Sequence, residues 1–346
     1  MKFDLYWVND VENRLNTFMN QIKSFHSSGL LTRNRQRQGI EAAVLSAILL
    51  GAAPVFGKQA ILFGFSPLAV VALRTTMAAG LLVLIMTIFK RQYFYIFPVG
   101  LVGCIIAGVT NGFGSILYYM AIARLDASVG QLLYSFYPLF VAFWLLLDRE
   151  TINRITIFRL ALVIPGIFLL VGAGHSKVDL VGAFLMLGAA ALYALHLIIN
   201  QRVLYEVPAP TVTLYTLLAM SVTVLIGFMI KPELPTSSTP WWPILGMAAI
   251  TFLSRLTLFM GVKHLGGMQT ALLGLGEIVI TVALAQVWLH ESMTILQWGG
   301  AGLVFLSLIL IGFDKITMEK RQSTGIFAWL NPPRIPPNNF PWHTEL

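Results

Sequence analysis

The segment LYYMAIARL, residues 117–125, closes a long apolar run with an arginine, and LFMGVKHL, residues 258–265, closes a later run in a similar way. A shift of 140 positions, the distance from residue 118 to residue 258, superposes the two segments. The superposed pairs are Tyr118 and Leu258, Tyr119 and Phe259, Met120 and Met260, Arg124 and His264, and Leu125 and Leu265. The repetition indicates a chain made of two related halves.

Apolar runs of roughly 20 residues recur along the chain, and each can cross a hydrocarbon core about 30 Å thick as a helix. The composition agrees, because 57% of the 346 residues are hydrophobic and 11% are charged. An average soluble domain carries about 25% charged residues. The runs are continuously apolar and do not alternate, which favours helices over a barrel. We therefore predict an all-α, polytopic membrane protein.

The hydropathy pattern predicts ten transmembrane helices. They cover residues 40–62, 67–89, 96–123, 127–147, 155–173, 178–200, 211–230, 242–263, 267–289 and 294–313. These spans divide the chain into four parts: a cytosolic N-terminal tail at 1–38 with a candidate amphipathic helix, a first repeat at 39–173, a second repeat at 174–313, and a proline-rich cytosolic tail at 314–346.

The basic residues predict the orientation. Most of the 23 Lys and Arg residues fall in segments that share one side of the membrane if the N-terminus is cytosolic. Cytosolic loops are enriched in these residues, so we expect both termini inside, in a bacterial inner membrane. The net charge of +8 is then a property of the cytosolic face, where it meets anionic lipid, and it does not indicate nucleic-acid binding.

Five spans per half is an odd number, so the second half must enter the membrane from the opposite side. Inverted repeats of this kind place a substrate site near the midplane and allow alternating access. The repetition thus predicts two inverted five-helix repeats around a central cavity.

Several quoted stretches resemble one known family. GAAPVFGKQAI, residues 51–61, and SVGQLLYSFYPLFVAFWLLLDRETI, residues 128–152, are similar to the first repeat of the EamA family in the drug/metabolite transporter superfamily. The stretch beginning GMQTALLGLGEIVI at residue 267 resembles the end of the second repeat. The resemblance covers residues 40–313 and includes Lys58, Pro67, Arg74, Pro138, Glu150, Glu277 and Glu291 in order. Leu50 replaces a frequent Trp, and Ile278 a frequent Pro. The resemblance implies a ten-helix secondary transporter of small metabolites, often an exporter.

Two charged residues lie inside predicted spans at equal distances from a turn. Arg255 precedes Gly266 by 11 residues, and Glu277 follows it by 11. In an antiparallel hairpin both reach the same depth, where charge is costly unless it meets a partner or a cavity. We predict a charge-assisted pair near the midplane, which acts in coupling or simply holds the hairpin together.

The 140-residue shift places Arg255 over Ser115 and Glu277 over Tyr137. The first half therefore offers neutral polar groups where the second offers charges, which suits a polar, asymmetric solute. Beside Ser115, the residues Asn111, Gly112 and Gly114 indicate either a kink in the third span or close packing against a neighbouring helix.

Other polar residues in the spans are weaker candidates. Lys58 either extends to the interface or contributes to the site. Arg74 lies deeper and either binds an anionic substrate group or contacts carbonyls at a helix break. The substrate-binding or coupling candidates are Arg255, Glu277, Arg74, Lys58, Asn111, Ser115, Tyr137, Gln131, Tyr134, Tyr193, His196 and Gln269.

Enzyme and cofactor motifs are incomplete. VFGKQ lacks the glycine and the hydroxyl residue of a phosphate loop, and GLGE lacks a second buried acid for a protease dyad. One cysteine, Cys104, excludes an internal disulfide, and the six histidines do not show helical zinc-ligand spacing. We predict no enzyme, cofactor or metal, and we expect a small-molecule substrate, membrane lipids, protons as candidate coupling ion and a candidate homodimer. A non-coupled channel or lipid scramblase stays an alternative, and a membrane-embedded enzyme is a weaker one.

Overall fold

The computed structural model describes residues 35–148, 154–172, 179–233, 235, 239–290 and 294–310. Within these ranges the chain is helical and contains no strands. The helices are α1 (Arg35–Leu62), α2 (Pro67–Phe89), α3 (Pro98–Ile122), α4 (Ala127–Tyr134), α5 (Tyr137–Leu147), α6 (Arg154–Gly172), α7 (Leu180–Leu204), α8 (Ala209–Ile230), α9 (Trp242–Leu265), α10 (Gly267–Gly274), α11 (Gly276–Trp288) and α12 (Ile295–Ile309). Residues 1–34 of the predicted N-terminal tail, the whole C-terminal tail, Glu150 and Glu291 lie outside the described residues, whereas residues 35–38 belong to α1.

Local sequence explains where several helices begin and end. Pro67 opens α2 and Pro98 opens α3, at first-turn positions whose N–H groups would have no helical partner anyway. Ser66 caps α2 by accepting a hydrogen bond from the backbone N–H of Ala69 at 3.2 Å. At the end of α9, Gly266 adopts φ +84°, a backbone conformation that suits glycine. The turn predicted at Gly266 is confirmed.

The surface of the helical bundle is apolar while many polar groups lie inside. Phe184, Val287 and Ile230 are 74%, 77% and 82% exposed. Buried polar side chains instead include Thr75, Asn200 and Thr251. A soluble protein would not expose so much apolar surface, and small polar residues are typical of helix interfaces within a membrane.

Eight helical segments of the described chain are long and apolar enough to cross a membrane. They are α1, α2, α3, α4 with α5, α7, α8, α9, and α10 with α11. Helices α6 and α12 pack against each other but do not belong to this set. The all-helical membrane fold is therefore found, and the number of ten spans stays a prediction.

Two of the predicted spans each consist of two helices separated by a short turn, and both are among the segments long and apolar enough to cross a membrane. The span at 127–147 is divided between α4 and α5 at Ser135 and Phe136, and the span at 267–289 is divided between α10 and α11 at Leu275. Ser135 and Leu275 are 140 positions apart (275 less 135), so the breaks recur at equivalent places. In the first half Pro138 lacks the N–H that would continue the helix. In the second half Gly274 and Gly276, both weak helix formers, flank the break.

Helix α7 has an ion pair at each end. At its start, Asp179 accepts from the N–H of Val181 at 2.9 Å and pairs with Arg124 at 3.1 Å. The Arg124 hydrogen bond lowers the pKa of the exposed Asp179 carboxyl. At the other end, Arg202 pairs with Asp148 at 2.6 Å, and both side chains are almost fully buried. These contacts join α7 to the ends of α3 and α5.

Candidate functional site

A cavity lies within the bundle. Its walls come from α1, α2, α3, α4, α7, α9 and α11. The lining residues are Leu50, Ala53, Arg74, Asn111, Gly114, Ser115, Tyr118, Tyr119, Gln131, Tyr134, Ala189, Tyr193, Arg255 and Glu277.

The cavity lies between two apolar clusters, which hold its walls in place. One cluster includes Tyr193 and Phe259, and the other includes Tyr119, Phe65 and Met247. Tyr193 and Tyr119 belong to these clusters and also line the cavity. The aromatic residues of the cavity wall therefore pack in the core, which fixes the positions of their rings.

Arg74 on α2 is held by neighbours on two other elements, α3 and α9. Its Nη1 donates to Thr251 Oγ1 at 3.1 Å and its Nη2 lies 3.5 Å from Ser115 Oγ. The guanidinium carbon lies 4.7 Å from the centre of the Tyr119 ring, a cation–π distance. Its Nε is buried without a hydrogen-bond partner in the described part of the chain. One donor of this fixed guanidinium is thus unpaired.

Arg255 on α9 is held in a similar way. Its guanidinium carbon lies 5.7 Å from the centre of the Tyr193 ring, and Nη1 lies 3.5 Å from His196 Nε2. His196 itself is anchored, because Nδ1 lies 3.0 Å from the carbonyl oxygen of Ala107. The Nε of Arg255 is also buried without a partner among the described residues. Both arginines therefore share one arrangement, with an aromatic face on one side and an unused donor.

Glu277 is placed by the break between α10 and α11. It is the second residue of α11, where the partial positive charge of a helix N-terminus favours a carboxylate. The Gln131 side chain is a near neighbour of Glu277 in the cavity wall, and Tyr118 donates its hydroxyl to Gln131 Oε1 at 3.0 Å. Glu277 Oε1 has no hydrogen-bond partner in the described ranges.

The predicted direct pair of Arg255 and Glu277 is wrong. Both residues line the cavity, as the symmetric spacing about Gly266 predicts, but no ion pair at 4.0 Å or less joins them in the described structure. Arg255 instead contacts His196 and Tyr193, and Glu277 contacts Gln131. Equal depth on adjacent spans sets the height of two side chains but not their rotation, and here both turn to other helices.

The structure bears on two other regions for which the sequence left alternatives open. Arg74 contacts hydroxyl groups and an aromatic ring, and no backbone carbonyl of the described chain accepts from it, so the helix-break alternative is wrong. Helix α3 runs without interruption past Asn111. A Cβ added at Gly112 would lie 2.7 Å from Thr223 Cβ on α8. The glycines of α3 therefore allow close packing against neighbouring helices.

Eight of the twelve predicted site residues line this cavity, and four lie elsewhere. Lys58 donates to the carbonyl oxygens of Ile122 and Leu125 at 3.0 and 2.8 Å and so caps α3. Tyr137 donates to the carbonyl oxygen of Ala271 at 2.8 Å, beneath the cavity. His196 is fully buried behind Arg255, and Gln269 lies on α10.

Sequence reasoning missed Tyr118 and Tyr119 as lining residues. They belong to the repeated phrase that revealed the two halves, and they lie one turn beyond Ser115 on α3. Their position one turn from Ser115, a predicted site residue on the same span, could have indicated that they line the cavity. Among the described residues, no group of three or more His, Cys, Asp or Glu side chains is placed to hold a metal ion.

The model of the EamA-like transporter family matches residues 37–172 and, a second time, residues 180–313. The chain belongs to this family. Together with the eight apolar segments, this makes it an integral, multi-pass membrane transporter, and the family points away from an enzyme.

Two curated relatives of this EamA-like transporter are themselves named as uncharacterized transporters. YcbK of Bacillus subtilis is 23% identical over 219 residues, which cover 60% of this chain and 70% of YcbK. The protein sll1319 of Synechocystis is 26% identical over 223 residues, which cover 61% of this chain and 65% of that protein. A solved crystal structure matches with a TM-score of 0.59 at 16% identity, over 78% of this chain and 95% of the other. That likeness shows a shared fold alone.

Proposed function

We propose that this EamA-like transporter is a secondary transporter that exports a small polar or amphiphilic metabolite, such as an amino acid, by alternating access. The observation that carries the proposal is the cavity itself, where Arg74, Arg255 and Glu277 are at most 6% exposed and each keeps an unused polar atom. Buried unsatisfied groups are unfavourable. A polar solute that satisfies them in turn provides a reason for the protein to keep them.

The recurrent helix breaks support alternating access. Discontinuous helices in corresponding positions of two halves are typical of secondary transporters with inverted repeats. Here the breaks at Ser135 and Leu275 are equivalent under the 140-residue shift. We assign ten spans in two inverted halves, with both termini cytosolic in a bacterial inner membrane. Residues 39–173 and 174–313 form the halves.

In this orientation, the contacts on the cytosolic side belong to a closed inner gate. Arg202 pairs with Asp148 there, and Gln201 Oε1 accepts from the backbone N–H of Gly267 at 2.8 Å. These contacts join α7 to α5 and α10, elements of both halves. A carrier must open them when the cavity faces the cytosol.

Protons are the coupling ion that we propose, with Glu277 as the group that binds them. Its carboxyl lies at the middle of a span and contacts the cavity directly. Ionisable groups inside a membrane commonly serve ion or proton pathways.

Counterflow in proteoliposomes tests the carrier mechanism. A carrier loaded inside with unlabelled amino acid accelerates uptake of labelled amino acid, and the rate saturates with concentration. A channel or scramblase shows neither effect. Flux that is linear in concentration and indifferent to internal substrate would contradict the proposal in favour of that alternative.

A further inference from the structure

We propose that the cavity selects an amino acid with net negative charge, a small solute with two acidic groups and one protonated amine. This inference rests on the proposed transport function and names the substrate class of the same site. It follows from three features of the cavity: its charge balance, its unused polar atoms and the separation of its charged walls.

The charge balance is positive. Among the described lining residues, two side chains carry a guanidinium group, Arg74 and Arg255, and one carries a carboxyl group, Glu277. The site is removed from water and therefore has at least one net positive charge, whether this carboxyl group is ionised or protonated. An uncompensated buried charge is strongly unfavourable, so the solute that best stabilises the loaded cavity carries one net negative charge. A neutral zwitterion would leave the imbalance unchanged.

The unused polar atoms specify the groups on the solute. The Nε of Arg74 and the Nε of Arg255 are buried donors without partners in the described ranges, and each calls for an acceptor. Glu277 Oε1 is a buried acceptor in the same situation and calls for a donor. Arginine and carboxylate form strong, directional hydrogen bonds. Two acidic groups and one ammonium group would match the two guanidinium groups and the one carboxyl group that line the cavity.

The positive and negative groups stand on different elements. Arg74 reaches from α2 to Thr251, which lies four residues before Arg255 on α9, so both guanidinium groups are associated with one stretch of that helix. Glu277 on α11 is tied instead to Gln131 on α4. With the ion pair absent between the described Arg255 and Glu277, neither charge neutralises the other by contact. A solute with separated acidic and amino groups fits this division.

The site is also preorganised for such a solute. The Arg74 guanidinium is covered by Tyr119 and contacts Thr251 and Ser115 through its nitrogen atoms. The Arg255 guanidinium is covered by Tyr193 and contacts His196. Groups held in place before binding lose little conformational entropy when the solute arrives. The two acidic groups would therefore meet donors that are already in position.

The test uses the full chain in proteoliposomes and three matched probes. L-Glutamate carries two acidic groups and an amine, L-glutamine replaces one acid by a neutral amide of the same shape, and glutarate lacks the amine. We expect counterflow with an apparent affinity for L-glutamate at least tenfold higher than for either of the other two. Equal or better exchange of L-glutamine overturns this inference but leaves the transport function intact. No saturable, trans-stimulated flux with any probe overturns both.

Two substitutions assign the groups, and each carries its own internal control. In Arg74→Gln we expect the ratio of L-glutamate to L-glutamine affinity to fall at least tenfold, because the second acidic group loses its partner. In Glu277→Gln we expect the ratio of L-glutamate to glutarate affinity to fall at least tenfold, because the amine loses its partner. A ratio compares two probes on one folded variant, so partial misfolding cannot imitate the result. Unchanged ratios in both variants overturn the assignment.

Discussion

Arg202 Nη2 lies 2.6 Å from Asp148 Oδ2, in an ion pair whose side chains are 3% and 0% exposed. The same helix, α7, begins with the pair of Asp179 and Arg124, whose side chains are 36% and 51% exposed. Both pairs join an arginine to an aspartate at an end of α7, but they differ in how far their side chains are exposed to solvent. The buried one joins α5 to α7 within the proposed gate.

Removing one partner of the buried pair should be costly, because the other charge stays behind without compensation. We expect Asp148→Asn to lower the free energy of unfolding by about 3 to 5 kcal/mol. The double variant Asp148→Leu with Arg202→Met should recover most of the loss. Equilibrium unfolding in mixed micelles measures both. Asp179→Asn is the control, with a much smaller effect because water screens the exposed pair. Equal losses at the two ends would contradict this account.

Glu277 should connect transport to protons. We expect Glu277→Gln to abolish the response of substrate flux to an imposed pH gradient, since the amide cannot take up and release a proton. The measurement is amino-acid flux in proteoliposomes with and without the gradient. Asn111→Ala is a matched control in the same cavity that leaves the carboxyl in place. Transport with unchanged pH dependence in Glu277→Gln would exclude the coupling role.

His196 should act by positioning Arg255. In His196→Phe the acceptor 3.5 Å from Arg255 Nη1 is lost. A lost hydrogen bond of about 1.4 kcal/mol corresponds to about a tenfold rise in KM. His196→Gln keeps an acceptor and should restore most of the affinity. Concentration dependence of counterflow, with thermal stability recorded beside it, separates positioning from folding. If the two variants have the same KM, His196 only packs.

Gly51 should be intolerant of any side chain, because α1 and α11 touch there. A Cβ at Gly51 would lie 2.6 Å from the carbonyl oxygen of Glu277 and 2.7 Å from Ile280 Cβ. Overpacking of this kind costs about 1 to 3 kcal/mol, so we expect Gly51→Ala to lower stability by that amount and to reduce transport by displacing Glu277. Gly80→Ala is the control, because nothing lies within 4 Å of its added Cβ. Equal behaviour of the two variants would contradict this explanation.

The inverted arrangement predicts opposite exposure of equivalent positions. Arg124 and His264 are 140 residues apart (264 less 124) and follow the same phrase in the two halves. In a Cys104→Ala background, a cysteine at position 124 should react with an impermeant maleimide from outside intact cells, and one at position 264 only after permeabilisation. Cys104 is 0% exposed, so its replacement by alanine does not change the protein surface. The substitution also ensures that any labelling comes from the introduced cysteine. Labelling of both from one compartment would refute inverted insertion.

The sequence by itself determined the membrane class, the helical elements and most of the cavity residues. Helix α2 begins at Pro67 and ends at Phe89, as predicted from hydropathy. Arg74, Arg255 and Glu277 stood out because charge is rare and costly in an apolar span, and this signal is local. The family resemblance rested on the same residues and is confirmed.

Only the tertiary structure decided which of these groups meet. In the structure, Arg255 contacts His196, and Glu277 contacts Gln131. Lys58 binds the carbonyl groups at the end of α3. Two spans contain a turn, at Ser135 and at Leu275. Hydropathy sets the depth of a residue along the membrane normal but contains no information about rotation around the helix axis. That rotation depends on how closely small residues allow neighbouring helices to approach, as Gly51 and Gly112 do here, and so on contacts between distant parts of the chain.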